Sequence, residues 1–120
     1  MHGLKEGIDL GFLKGREVIQ VAIGKFGVRF GLDEDVIISV EGGFGYFDGS
    51  AELSWKPEPA YSQTAAPSIA LLGATIHSFE AHEHGTLKLN FSNGHRLTIP
   101  DSSKQYESYS ITRLGFNLYV

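Results

Sequence analysis

The chain has 120 residues, ten Lys and Arg against fourteen Asp and Glu, a formal charge of -4 and no cysteine. This length supplies one ordinary core and not two. The acidic balance excludes binding to nucleic acid or anionic membrane by bulk electrostatics while suiting a basic protein partner. The lack of cysteine excludes disulfides, thiolate metal sites and a cysteine nucleophile, and with them any sign of an oxidising compartment, so a cytoplasmic protein is expected.

In chain order, Met1 to Gly11 reads as a loosely held arm. Lys5, Glu6 and Asp9 interrupt its apolar residues, so it is not expected to be a secretory signal. Nothing approaches the roughly 20 apolar residues of a membrane span. Phe12-Leu13-Lys14 predicts a short helical turn stopped by Gly15, which is free to take positive φ. Strands follow at Arg16 to Ile23, Phe26 to Leu32 and Val36 to Val40. The first two form a hairpin turning near Gly24-Lys25, and Asp33-Glu34-Asp35 makes the next turn.

Gly42 to Gly49, rich in glycine and aromatics, is expected to be loop or irregular strand. Ala51 to Trp55 alternates as a short edge strand ended by Pro57 and Pro59. Lys56 to Pro67 is a link with little to bury, and Pro67 to Leu72 predicts a short helix between its proline and Gly73. Three more strands are expected at Ala74 to Ala81, Thr86 to Phe91 and His95 to Ile99, the last two joined by a Ser92-Asn93-Gly94 turn. After a polar loop at Ser102 to Gln105, Tyr106 to Thr112 continues as strand. Gly115 turns the chain into a closing strand, Phe116 to Val120.

The stretch Leu71 to Ile99 repeats Leu13 to Val40. With Gly15 over Gly73, Leu13 falls on Leu71, Val18 on Ile76 and Val21 on Phe79. One extra residue around His82 to Gly85 then brings Val28, Phe30, Leu32, Ile38 and Val40 onto Leu87, Leu89, Phe91, Leu97 and Ile99. The expected architecture is all-β: two similar three-stranded antiparallel meanders packed as a sandwich or partly open barrel, with one short helix. One domain over residues 1–120 is expected, with half 1 at about 12–56, a link at 57–67 and half 2 at about 68–120.

Few constellations carry chemistry. His82-Glu83-His84 could set two imidazoles on one strand face, but the segment falls in a turn and no local motif places a third ligand, so no metal is expected. Asp33-Glu34-Asp35 is too short for a calcium loop of about twelve residues. The Gly42 to Gly49 segment lacks the Gly-Lys-Ser/Thr ending of a phosphate loop, and no Gly-x-Ser-x-Gly elbow marks a nucleophile. No catalytic residue and no cofactor is expected.

The run Phe12-Leu13-x-Gly15-x-x-Val18, its match Leu71-x-Gly73-x-x-Ile76, and the ending Tyr106-Glu107-Ser108-Tyr109-x-Ile111 with Gly115 resemble a family of small uncharacterised bacterial domains. The ending is also similar to that of small immunity proteins of bacterial toxin systems. The resemblance implies no catalytic residues.

The functional expectation is a non-catalytic binding module that recognises another protein, as an immunity-type inhibitor does. Phe44, Tyr46, Phe47, Trp55 and Tyr61 are its candidate contact residues, while the other reading has Phe44, Tyr46 and Phe47 cap the open end of the barrel or sandwich. The alternatives are a small-molecule-binding protein or enzyme with a pocket at a barrel mouth, and a structural protein that forms homodimers through edge strands such as Ala51 to Trp55.

Overall fold

In the computed structural model, residues 9–24, 27–55, 66–82, 85–100, 109–113 and 116–120 are described, without the side chains of residues 54, 55 and 66. Among these residues ten strands build two antiparallel sheets. The first meander is β1 (Val18–Ile23), β2 (Val28–Leu32) and β3 (Ile37–Val40), and a hairpin of β4 (Phe44–Phe47) and β5 (Glu52–Trp55) follows it. The second meander is β6 (Ile76–Ala81), β7 (Leu87–Phe91) and β8 (Arg96–Ile99), followed by a hairpin of β9 (Tyr109–Arg113) and β10 (Phe116–Tyr119). Short 3₁₀ segments lie at η1 (Gly11–Leu13), η2 (Asp33–Asp35, with left-handed φ at Glu34 and Asp35) and η3 (Ala66–Leu71). The helix expected at Pro67 to Leu72 is therefore a 3₁₀ segment. Pro67 can donate no backbone hydrogen bond, and Gly73 follows at φ 85°.

The sheet orders are β1-β2-β3-β9-β10 and β5-β4-β8-β7-β6. Each meander thus takes up the hairpin that belongs to the other half of the chain. The exchange is possible because Glu41-Gly42-Gly43 leaves β3 and crosses to the opposite sheet. Three residues at about 3.3 Å each match the roughly 10 Å between packed sheets, and Gly43 makes the bend at φ 110°. Among the described residues the two sheets do not close into a barrel, and β5 and β10 are edge strands on one side.

Gly42 to Gly49, expected as loop or irregular strand, instead contains a regular strand. β4 pairs on both sides, with Tyr46 opposite Leu53 on β5 and opposite Leu97 on β8. Glycine content hid a two-residue alternation in which Phe44 and Tyr46 point inward.

On the other side the sheets are stitched together. Glu17 and Thr75 form one antiparallel bridge. Around it the Gly15 N–H donates to the Ile76 carbonyl and the Gly73 N–H to the Val18 carbonyl, both at 2.8 Å. The Val18 N–H donates to Ala74 and the Ile76 N–H to Arg16, both at 2.9 Å. Each bond is the image of another when Gly15 is laid on Gly73, so a local twofold passes through this seam. The likeness extends to the bulges, since β1 slips register between Val18 and Gln20 and β6 between Ile76 and Ser78. The strand order is the same in both meanders, as the repeat requires.

Both sheets share one core. Leu13 and Leu71, Val18 and Ile76, Phe30 and Leu89, Leu32 and Phe91, Ile38 and Leu97, and Val40 and Ile99 are all buried. Each such side chain contributes about 1.5 to 3 kcal/mol when removed from water. The end of the N-terminal arm joins them, with Leu10 also buried. Across the core the Tyr109 hydroxyl donates to the Gly85 carbonyl at 2.7 Å, tying β9 to the loop before β7.

Candidate functional site

Of the five aromatic residues singled out above, the side chains of Phe44, Tyr46 and Phe47 are among the described residues. Phe44 is 3% and Tyr46 1% exposed, and Phe44 meets Phe30 edge to face at 5.8 Å between centroids. Both are core residues and present no contact surface, because the strand that replaces the expected loop turns them inward. Phe47 points outward and is half-buried beneath the Arg96 guanidinium, 5.5 Å from its ring centroid. Trp55 pairs with Phe44 through the backbone, but its side chain lies outside the described residues, as does all of Tyr61.

Tyr46 has a polar partner that sequence reading missed. Its hydroxyl meets Nδ1 of His95, the residue just before β8, and the rings lie edge to face at 5.4 Å. One step beyond the β4–β8 register sets Asp48 opposite His95. Asp48 caps its own turn: its Oδ1 accepts from the Ala51 N–H at 2.8 Å, the Ser50 N–H at 2.9 Å and the Ser50 hydroxyl at 3.0 Å. These bonds hold its carboxyl below the usual carboxylate range, and His95 adds to them. Burial, with Asp48 as the lesser cause, pushes the Tyr46 hydroxyl up to about 12. Its phenol therefore stays neutral at physiological pH and can hydrogen-bond with His95 in that form. The trio is a structural cross-link between β4, its turn and β8.

The expected histidine turn lies partly outside the described residues, which include His82 but not Glu83 or His84. Among the described residues no three His, Asp or Glu side chains are grouped as metal ligands. The 33–35 turn is pinned by Arg16, whose guanidinium lies 3.2 Å from Glu34 and 3.7 Å from Asp33. A groove of about 430 Å³ opens at the hairpin end of β1, β2 and β3, beside Ala22, Gly27, Arg29, Ser39 and Glu41. It is not a barrel mouth, since no barrel forms.

The surface feature that stands out is apolar. Ile19 is 59% exposed and Ile69 and Leu72 are each 47% exposed. The local fold brings them together. Val18 points into the core, so Ile19 beside it in the β1 bulge points out. The bond from Gly73 to the Val18 carbonyl sets Leu72 against that bulge, and the Leu72 N–H donates to Ile69 across the last turn of η3. The twofold provides a control. Ile19, Ile69 and Leu72 correspond to His77, Gly11 and Lys14 at the same backbone positions of the other half. The fold therefore does not require apolar side chains here. Sequence reading passed over these three because each lies off the buried periodicity, yet the glycine alignment itself would have shown them as places where the halves disagree.

Comparison with known proteins adds a family. Residues 11–120 match a family of unknown function, DUF6188. The chain belongs to it. The match begins at η1 and takes in both meanders and both exchanged hairpins, so the twofold sandwich is the property of the DUF6188 chain. No curated protein and no solved structure matches it. Among its described residues no helix is long and apolar enough to cross a membrane.

Proposed function

We propose that this DUF6188 chain is a non-catalytic binding module that recognises another protein. The observation behind this reading is the exposed cluster of Ile19, Ile69 and Leu72, set where the equivalent half carries His77, Gly11 and Lys14. Exposing three large aliphatic side chains together is unfavourable in water, and a site kept apolar without structural need marks a contact surface. The finer reading, an immunity-type inhibitor working in a bacterial cytoplasm, is supported by the similar Tyr106 to Ile111 ending and by the absence of cysteine.

The test is affinity capture from the native host with wild type beside Ile19→Asp and Leu72→Asp, both outward-facing substitutions that leave the core intact. One specific protein retained by wild type and lost by both variants supports recognition at this face. Equal retention by all three refutes it. Phe47→Ala and Trp55→Ala in the same experiment read whether the aromatic segment adds contacts. A toxin-domain gene directly upstream would support the inhibitor reading, and an operon of metabolic enzymes would count against it.

A further inference from the structure

We infer that the outward face of the second sheet binds a small organic carboxylate, with Arg96 taking the carboxylate on its two terminal nitrogens and the body of the molecule lying on Gly45. The site is on the other sheet from Ile19, and it stands or falls apart from the protein-recognition reading.

Arg96 lies on β8, the middle strand of its sheet, and points out because Leu97 beside it is buried. In register with it stand Asn90 on β7 and Phe47 on β4, and Ser78 on β6 is opposite Asn90, so the four side chains make one row across the sheet. The row is linked. Nδ2 of Asn90 donates to the Ser78 hydroxyl at 3.2 Å, Nε of Arg96 donates to Oδ1 of Asn90 at 3.1 Å, and the guanidinium caps the Phe47 ring 5.5 Å from its centroid. A long side chain is thereby held in one pose before any ligand arrives. Its Nη1 and Nη2 make no hydrogen bond or ion pair among the described residues. That edge of a guanidinium matches the two oxygens of a carboxylate.

The twofold again separates what the fold needs from what it does not. The equivalents of Ser78, Asn90, Arg96 and Phe47 are Gln20, Gly31, Ile37 and Thr112, which pair in the same register without a charge among them. Gly45 is the second departure. It pairs with Thr98 and Ser54 without a bulge, its φ is not left-handed, and a Cβ there would meet nothing nearer than 3.9 Å. Neither backbone nor packing calls for glycine, which weakens a strand, and the equivalent position carries Ser110. Bare backbone inside a strand lets a ligand approach closely. Gly45 is diagonal to Arg96, about 7 to 8 Å away, which a benzoate-sized molecule spans.

Charge narrows the ligand. Lys88 stands in the next row with Glu80 opposite it, and Glu52 is opposite Phe47, so two cations face two carboxylates. One guanidinium in balanced surroundings suits a monoanionic carboxylate better than the dianion of a phosphate monoester.

The experiment is an NMR titration of isotope-labelled full-length protein with benzoate at neutral pH, with benzamide and phenyl phosphate in parallel. Benzoate is expected to shift the Nε–H of Arg96 and the amides of Gly45 and Thr98 along a saturating curve. Benzamide should shift none of them, and phenyl phosphate should bind more weakly. Arg96→Gln should weaken benzoate at least about tenfold while keeping the wild-type spectrum elsewhere. Gly45→Val should weaken it as much yet keep or raise Tm, because valine suits a strand and its side chain fills the opening. Tighter binding of phenyl phosphate at these residues overturns the carboxylate, and unchanged affinity in Gly45→Val overturns the placement of the body. No saturating shift here, equal shifts with benzamide, or unchanged affinity in Arg96→Gln overturns the site.

Discussion

Glu17 and Thr75 pair with each other in the bridge that joins the two sheets, and each holds in its own half the place that the other holds in the second. A pair of equivalent residues can bond mutually only where a twofold axis passes between them. The four backbone bonds around this bridge are two pairs of images. The seam is thus the element about which the halves are organised, and it holds the patch-bearing η3 against β1.

Gly15 and Gly73 should respond alike to substitution. Their φ angles are 87° and 85°, and an added Cβ at either would meet nothing within 4 Å. Alanine would therefore cost only its left-handed conformation, about 1 kcal/mol net at each position. Urea unfolding of the two single variants should give equal losses, and a difference above about 0.5 kcal/mol would show that the halves are not energetically equivalent.

Phe44→Ala should cost about 3 to 5 kcal/mol, because it opens a cavity beside Phe30. Ile19→Ser, on the exposed face, should change stability by no more than about 0.5 kcal/mol. Chemical denaturation of both variants checks the assignment of aromatic segment to core and of aliphatic patch to surface.

Tyr46 makes the protein sensitive to alkali. A hydroxyl raised from 10.0 to about 12 favours the neutral folded form. The stability it confers is complete below pH 10 and is lost as pH rises from 10 toward 12, amounting to about 2 to 3 kcal/mol. Tyr46→Phe should remove this part of the alkaline loss. At neutral pH it should cost about 1 to 3 kcal/mol, since it strips Nδ1 of His95 of its hydrogen-bond partner. Spectrophotometric titration should show one fewer late-ionising tyrosine in the variant than in wild type.

Asp48 should act at the opposite limb. Its lowered carboxyl confers stability above the ordinary carboxylate range, and that stability is lost as pH falls through the depressed value. Asp48→Asn should flatten the acid limb of the stability profile. A carboxyl titration by NMR that places Asp48 at or above 3.8 would remove the turn bonds as its cause.

Much of this fold could be read along the chain. Alternating apolar residues and Asn93-Gly94 located the six meander strands, and the shared glycines located the repeat, because side-chain period and positive φ are local properties. The strand at Phe44–Phe47 was obscured, since Gly43, Gly45 and Gly49 have low strand propensity and only pairing with β5 and β8 on both sides outweighs it. The exchange of hairpins between sheets was beyond sequence reading for a different reason. Pattern says which face of a strand is buried, while the choice of neighbour depends on where a three-residue crossing such as Glu41-Gly42-Gly43 delivers the chain. The candidate face divides in the same way. The residues that break the repeat, Ile19 against His77 and Leu72 against Lys14, stand in the sequence itself. Only the bond from Gly73 to Val18, made between segments more than fifty residues apart, brings Leu72 and Ile69 beside Ile19 and turns separate exceptions into one surface.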